Sequence, residues 1–297
     1  MNGRERGFLL LTSHLGDPER RPLTAAQLRT LARRVCDSDF SGEDRDLTEK
    51  DVASLGYDRD MAAHIAALLR QETLLDHYLA RGAALGCRPV TRVSPDYPPL
   101  LRQRLGLDSP GCLWASGDLS ILNTPAVALV GCRNLSEPNR AFAKAVGIQA
   151  AELGVTLISG NARGADRAAQ DACLSAGGRV ISIVADELHR CTARNLLFLS
   201  EDGFDEPFSS QRALSRNRCI HALGRVVFVA QSELQKGGTW SGTVRNLRFG
   251  WSPVICFRDG SEASAQLEQM GAFLIGQEML GDFDCLGSAE NFLNYAP

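Results

Sequence analysis

The 297-residue chain has no long apolar run, and so nothing able to cross a bilayer as a helix, which takes about 20 consecutive apolar residues. Its first apolar stretch, Phe8 to Leu11, is too short for the core of a secretory signal. Both observations predict a cytoplasmic protein. No Cys-x-x-Cys pair occurs among the nine cysteines (Cys36, Cys87, Cys112, Cys132, Cys173, Cys191, Cys219, Cys256 and Cys285), and their number is odd. This pattern fits reduced, mostly buried thiols better than a disulfide framework. His189 and Cys191 lack a second ligand pair, so no metal site is expected. Positive charge is not in excess either: 32 Lys and Arg against 35 Asp and Glu give a net charge of -3. A uniformly basic surface is excluded, and any nucleic-acid site must be a local patch. G-x-G-x-x-G, G-x-S-x-G and Walker loops are all missing, and no catalytic set stands out. A cofactor-free protein that is not an enzyme is the expectation.

What is present suits two domains, with 44% hydrophobic residues to fill their cores. Residues 1–87 read as a small helical domain. Thr24 with Gln27, and Thr48 with Asp51, have the spacing of capping boxes, and one longer helix is predicted from Asp58 through Leu79, stopped by Gly82. Such helices serve either as a docking module or as a packing appendage. Residues 88–125 read as an irregular bridge punctuated by Pro95, Pro98, Pro99 and Pro110. From 126 to 297 the rhythm changes. Val- and Ile-rich runs at Val127–Val130, Val155–Ile158, Val180–Val184, Val226–Val229 and Val254–Phe257 lack polar alternation, as strands buried on both faces do. Helical patterns fall between them, at about 137–153, 164–176, 210–222 and 242–249. The predicted fold class is α/β: an extended Rossmann-like parallel sheet with helices on both faces, preceded by the helical domain.

Ligands of such sheets bind at the carboxyl ends of the strands, and four polar segments fall there. In Gly131-Cys-Arg-Asn-Leu-Ser136, Gly131 turns the chain while Arg133 and Ser136 sit where a helix begins, a setting for phosphate. In Ser159-Gly-Asn-Ala-Arg-Gly-Ala-Asp166, Gly160 and Gly164 let backbone N–H groups approach a ligand, Arg163 supplies charge, and Asp166 either caps the helix or orients Arg163. In Ser215-Arg-Asn-Arg218, Arg216 and Arg218 flank Asn217 and cannot share a helix face, so one reaches the site while the other pairs within the protein; Arg212 extends the stripe. In Lys236-Gly-Gly-Thr-Trp-Ser-Gly-Thr243, Lys236, Gly237, Gly238, Thr239, Ser241 and Thr243 offer donors to phosphate, and Trp240 either stacks on a base or is structural.

In this order the four segments resemble the DprA/Smf DNA-processing family, with its G-S-R-x-x-S, S-G-x-A-x-G-x-D, R-N-R and S-G-S/T elements. Asp96-Tyr-Pro98 and Leu113-Trp-Ala-Ser-Gly117 are similar to two further family elements, and the resemblance covers about residues 90–260. It implies an extended Rossmann fold and a homodimer with a basic pocket for single-stranded DNA. It also implies a protein that protects DNA and helps load RecA recombinase during natural transformation (competence). The chain departs from the family at Cys132 (usually Ser), Gln170 (often His) and Ala185-Asp186 (commonly Gly-Gly), and no winged-helix domain is recognisable after residue 280. An alternative is a nucleotide-binding enzyme or sensor related to lysine-decarboxylase-like phosphoribohydrolases acting on nucleoside monophosphates. Asn246 then stands where their loop carries a glutamate. A third reading is an adaptor with a residual pocket.

Overall fold

The computed structural model describes residues 1–40, 47–191, 196–201 and 203–281. Cys285 and the stretch searched for a winged helix beyond residue 281 lie outside them. Five helices come first: α1 (Gly3–Thr12), α2 (Ala25–Cys36), α3 (Glu49–Ser54), α4 (Arg59–Leu69) and α5 (Glu72–Ala84). Both predicted capping boxes are formed. Thr24 and Thr48 each accept the N–H three residues on, and Gln27 and Asp51 reach back to the cap N–H. The helix read as continuous from Asp58 to Leu79 is instead two, broken at Arg70–Gln71. No Gly or Pro marks the break. At the break the Nε of buried Arg20 donates to Gln71 Oε1 at 2.6 Å, a tertiary contact that no local pattern announces. Gly82 is not the stop either. It is buried inside α5, where a Cβ would come within 2.8 Å of the Trp114 ring. The helix ends at Ala84 with Leu85 as its C-cap, and Gly86 follows in the left-handed region at φ 70°.

The segment read as an irregular bridge carries regular structure. It contains β1 (Cys87–Thr91), α6 (Pro99–Leu105) and β2 (Cys112–Gly117). Then follow β3 (Ala126–Val130), α7 (Glu137–Glu152), β4 (Thr156–Ser159), α8 (Ala165–Ser175), β5 (Val180–Ile183), β6 (Leu196–Ser200), α9 (Ser210–Leu223), β7 (Val227–Val229), α10 (Gly237–Phe249), β8 (Val254–Phe257), α11 (Glu262–Gln269) and β9 (Phe273–Ile275). The five predicted strands are β3, β4, β5, β7 and β8; β1, β2, β6 and β9 were not foreseen.

Among the described residues the strands form one sheet in the order β1-β2-β6-β5-β4-β3-β7-β8-β9, parallel from β6 to β9 and antiparallel at β1 and β2. Alternate residues feed two cores, as a sheet covered on both faces requires. Val127, Leu157 and Phe198 join Phe142 of α7 and Ala169 of α8 on one face, in a cluster continuous with Leu9, Ile65 and Leu75 of the N-terminal helices. Ala128, Ile158 and Leu197 join Leu101 of α6 and Ile220 of α9 on the other. The N-terminal helices dock through Tyr78, Trp114 and Phe204, whose ring centroids lie 4.7 to 5.2 Å apart. Tyr78 also donates its hydroxyl to Asp205 at 2.9 Å, and Arg81 ion-pairs with the same carboxylate.

From β3 the chain winds outward through β4, β5 and β6, then returns through α9 to place β7 on the other side of β3. The loops leaving β3 and β7 therefore diverge, opening a crevice at the switch point.

Candidate functional site

A cavity of about 460 Å³ occupies that switch point. The loop after β3 supplies Gly131, Cys132, Arg133 and Asn134, the segment after β7 supplies Glu233, and the start of α10 supplies Lys236 to Thr239. The roof comes from α9 and the turn before it, through Phe208, Leu214, Arg216 and Asn217. Helix α10 begins at Gly237, five residues before the predicted start, so Lys236 is its N-cap and Gly237, Gly238 and Thr239 are its first turn. Their N–H groups lack intrahelical acceptors and border the cavity, an arrangement suited to an anion.

Arg216 reaches the cavity from α9 and is only 7% exposed. Its Nε and one terminal nitrogen (Nη1) have no hydrogen-bond partner among the described residues. The guanidinium packs against Gly160, where a Cβ would fall 1.4 Å from Nη1. Only glycine at 160 leaves room for Arg216, a reason for that residue different from ligand approach. Burial pushes the Arg216 pKa down, and Asp166 is the foremost of the nearby carboxylates opposing this. Asp166 shows the converse: burial pushes its carboxyl up, while Arg216 and two backbone N–H groups pull it down. Those N–H groups belong to Gly160 and Ala162, at 3.1 and 3.2 Å from Oδ2. Asp166 thus braces its own loop and faces Arg216. It neither caps α8, whose N-cap is Gly164, nor orients Arg163. Asn161 and Gln235, in the loops on either side, have positive φ values of 60° and 54°. Backbone held in this sparsely populated region gathers at sites where geometry outweighs its cost.

The remaining sequence-derived residues divide. Gly131, Arg133, Asp166, Arg216, Asn217, Lys236, Gly237, Gly238 and Thr239 come together around the cavity. Ser136 does not reach it; it caps α7, accepting the Asn139 N–H at 3.4 Å. Ser159 is buried and accepts from Gln170 Nε2 at 2.5 Å, so the Gln170 departure lies in the core beneath the crevice. Arg163 and Gly164 line a separate groove. Arg218 points away, ion-paired with Glu201 at 2.7 Å and donating to Asp108 O at 3.0 Å. Arg212 spends its donors on Ala185 O, Glu206 O, Pro207 O and Ser200 Oγ, so it clasps loops and does not extend a basic stripe. Of the three hydroxyls after Lys236, only Thr239 borders the cavity; Thr243 is fully buried and Ser241 lies outside. Trp240 packs against the core. Cys132 borders the cavity as a neutral thiol, its pKa raised by burial. Asp186 is exposed and acts on Arg216 only through its field. Asn246 faces the core, its amide bonded to Ser252 N at 2.9 Å and His221 Nδ1 at 3.2 Å.

Sequence reasoning missed Asn139, Gln231 and Glu233. Asn139 Nδ2 donates to Ala230 O at 2.7 Å and Asp259 Oδ2 at 2.8 Å, tying the first turn of α7 to the ends of β7 and β8. Gln231 Oε1 accepts the Ser136 N–H at 3.0 Å. Together they fix the two sides of the crevice relative to each other. Glu233 puts a carboxylate at the mouth. None of the three lies within a family-like motif, so only the fold reveals them. Among the described residues no cluster of His, Cys, Asp and Glu could hold a metal.

The family model for DNA recombination-mediator protein A matches residues 88–278. The DNA processing protein DprA of Streptococcus pneumoniae is 31% identical over 193 residues, 60% of this chain and 68% of that protein. Protein Smf of Escherichia coli is 32% identical over 153 residues, 48% of this chain but only 40% of that protein. The X-ray structure of S. pneumoniae DprA superposes with a TM-score of 0.72 at 24% identity, covering 95% of this chain and 99% of that one. A Helicobacter pylori DprA, whose structure was determined for insight into its single-stranded DNA binding mode, superposes with a TM-score of 0.55 at 23% identity over 70% of this chain and 94% of that one. These superpositions establish the fold, and the match over most of the sheet establishes the kinship: the chain belongs to the DNA recombination-mediator protein A family, the DprA/Smf proteins.

Proposed function

We propose that the crevice binds single-stranded DNA by its phosphates, and that the protein protects the strand and helps load RecA recombinase onto it. The observation that carries this reading is Arg216. A buried guanidinium with unmatched N–H groups is costly unless an acceptor arrives, and phosphate supplies both the oxygens and the charge. Exposed Arg133 and Lys236 and the first turn of α10 surround the same space. The single-strand binding mode described for the H. pylori relative supports the choice of ligand. A homodimer belongs to the same reading, and light scattering of the purified protein checks it.

The test is fluorescence anisotropy of labelled single-stranded and duplex oligonucleotides across a salt series. Preferential single-strand binding is expected, weakening steeply with salt. Arg133→Ala and Lys236→Ala are each expected to lower the slope of log affinity against log salt by about 0.7, the release of one phosphate's counterions. Absence of binding at low salt overturns the proposal. The phosphoribohydrolase alternative gains nothing from the geometry, since Asn246 does not face the crevice. Release of base from a nucleoside monophosphate would restore it.

A further inference from the structure

A second concavity, of about 470 Å³, runs between α7 and α8 on the side of the β4–α8 loop away from the crevice. Arg140 and Lys144 line it from α7, Arg163 from the β4–α8 loop and Arg167 from the first turn of α8, with Asp171 the one carboxylate in its lining. Arg140 and Lys144, four residues apart, form a row along one face of α7, and Arg163 and Arg167 border the groove from the other side. Lys144, Arg163 and Arg167 are exposed and form no ion pair with a described residue. Arg140 meets Glu137 at 3.7 Å, but that carboxylate is 83% exposed, and such a surface pair ties up little of the charge. On a chain with a net charge of -3, four cations facing one carboxylate is a strong local asymmetry.

The groove and the crevice share a wall one residue thick. Ala162 lines the crevice and Arg163 lines the groove. Gly164 (φ 92°) presses on the carbonyls of Cys132 and Arg133, both crevice residues; a Cβ there would lie 2.4 Å from each oxygen. The Ala165 N–H donates to Cys132 O at 3.2 Å, holding this wall in place. The groove floor is Ala168 and Ala172, and no aromatic ring lines it. It therefore offers charge along a track with nothing to stack on or read a base.

The geometry points to the groove as the path by which a strand leaves the crevice: its phosphodiester backbone passes over Arg163 and continues between Lys144 and Arg167. This rests on the reading of the crevice as a single-stranded DNA site and adds the direction of the strand and a second set of phosphate contacts.

The experiment compares oligothymidylates of about 4 and about 16 nucleotides, the lower and upper ends of common single-strand site sizes. They are titrated against the wild type, the Lys144→Ala/Arg167→Ala double variant and Arg216→Ala. Both groove positions are exposed, so the double variant is expected to keep the wild-type melting temperature. For the long strand it is expected to lower the salt slope by about 1.4, two phosphates' worth, and affinity at moderate salt by about ten-fold. Short-strand affinity is expected to be unchanged. If long-strand binding is also unchanged while Arg216→Ala loses it, the groove path is overturned and the crevice stands. Equal losses for both lengths in the double variant also overturn the path, because the short strand would not reach the groove. No wild-type binding at either length overturns both.

Discussion

At the scale of single residues, the site depends on one fit between an arginine and a glycine. Arg216 occupies the space a Cβ at position 160 would take. Gly160→Ala is therefore expected to displace the guanidinium, cost about 1–3 kcal/mol as overpacking does, and abolish single-strand binding. Chemical denaturation and anisotropy on the same variant separate the two effects. Arg216→Lys is expected to keep the charge and lose most of the affinity, since an ammonium cannot reproduce the fork of N–H groups; retention of wild-type affinity would remove Arg216 from the site. Sequence spacing does show that Arg216 and Arg218 lie on different helix faces. Which of them turns inward depends on Glu201, whose carboxylate meets Arg218 from β6 and its following turn. No local pattern encodes that choice. The same holds for Arg212, a site candidate by spacing whose donors are taken by the carbonyls of Ala185, Glu206 and Pro207.

At the scale of elements, caps and buried strands were the legible part. The Thr24 and Thr48 boxes are formed as read, and Ser209 caps α9 by accepting the Arg212 N–H at 3.0 Å. Because α9 roofs the crevice, Ser209→Ala is expected to cost about 1 kcal/mol of stability and to weaken DNA binding as the first turn frays; a urea titration measures the former. Elements shaped by partners were illegible. β1 contains Arg88 and Pro89, which argue against a strand. It exists because it is an edge, paired only to β2. β9 is three residues at the other edge. α10 starts early because its Gly-Gly pair, read as loop, forms the first helical turn at the edge of the cavity.

At the scale of the whole molecule, the N-terminal helices and the sheet share one apolar cluster, from Leu9 to Phe142 and Phe228. A single cooperative thermal transition is expected, and two resolved calorimetric peaks would contradict a shared core. Acid is expected to loosen it. His221 is fully buried beside Asn246, and burial depresses its pKa from the model-peptide value of 6.5 to about 3. The unfolded chain takes up this proton below pH 6.5 and the folded one does not. Stability from this residue is thus complete above 6.5 and falls as pH drops toward 3, by about 1.4 kcal/mol per pH unit. Urea titrations of the wild type and His221→Asn between pH 7 and pH 4 check it: the variant is expected to lose that part of the slope.

The chain has three tryptophans, and Trp114 is the one wedged between Tyr78 and Phe204 where the N-terminal helices meet the sheet. Its indole N–H has no partner there among the described residues, so the ring is held in a dry, apolar environment. The junction consequently carries its own optical gauge. In a variant with Trp240 and Trp251 replaced by phenylalanine, blue-shifted emission marks helices seated on the sheet, and a red shift marks water reaching the indole. Detachment of the N-terminal helices can be followed by light alone, without a label.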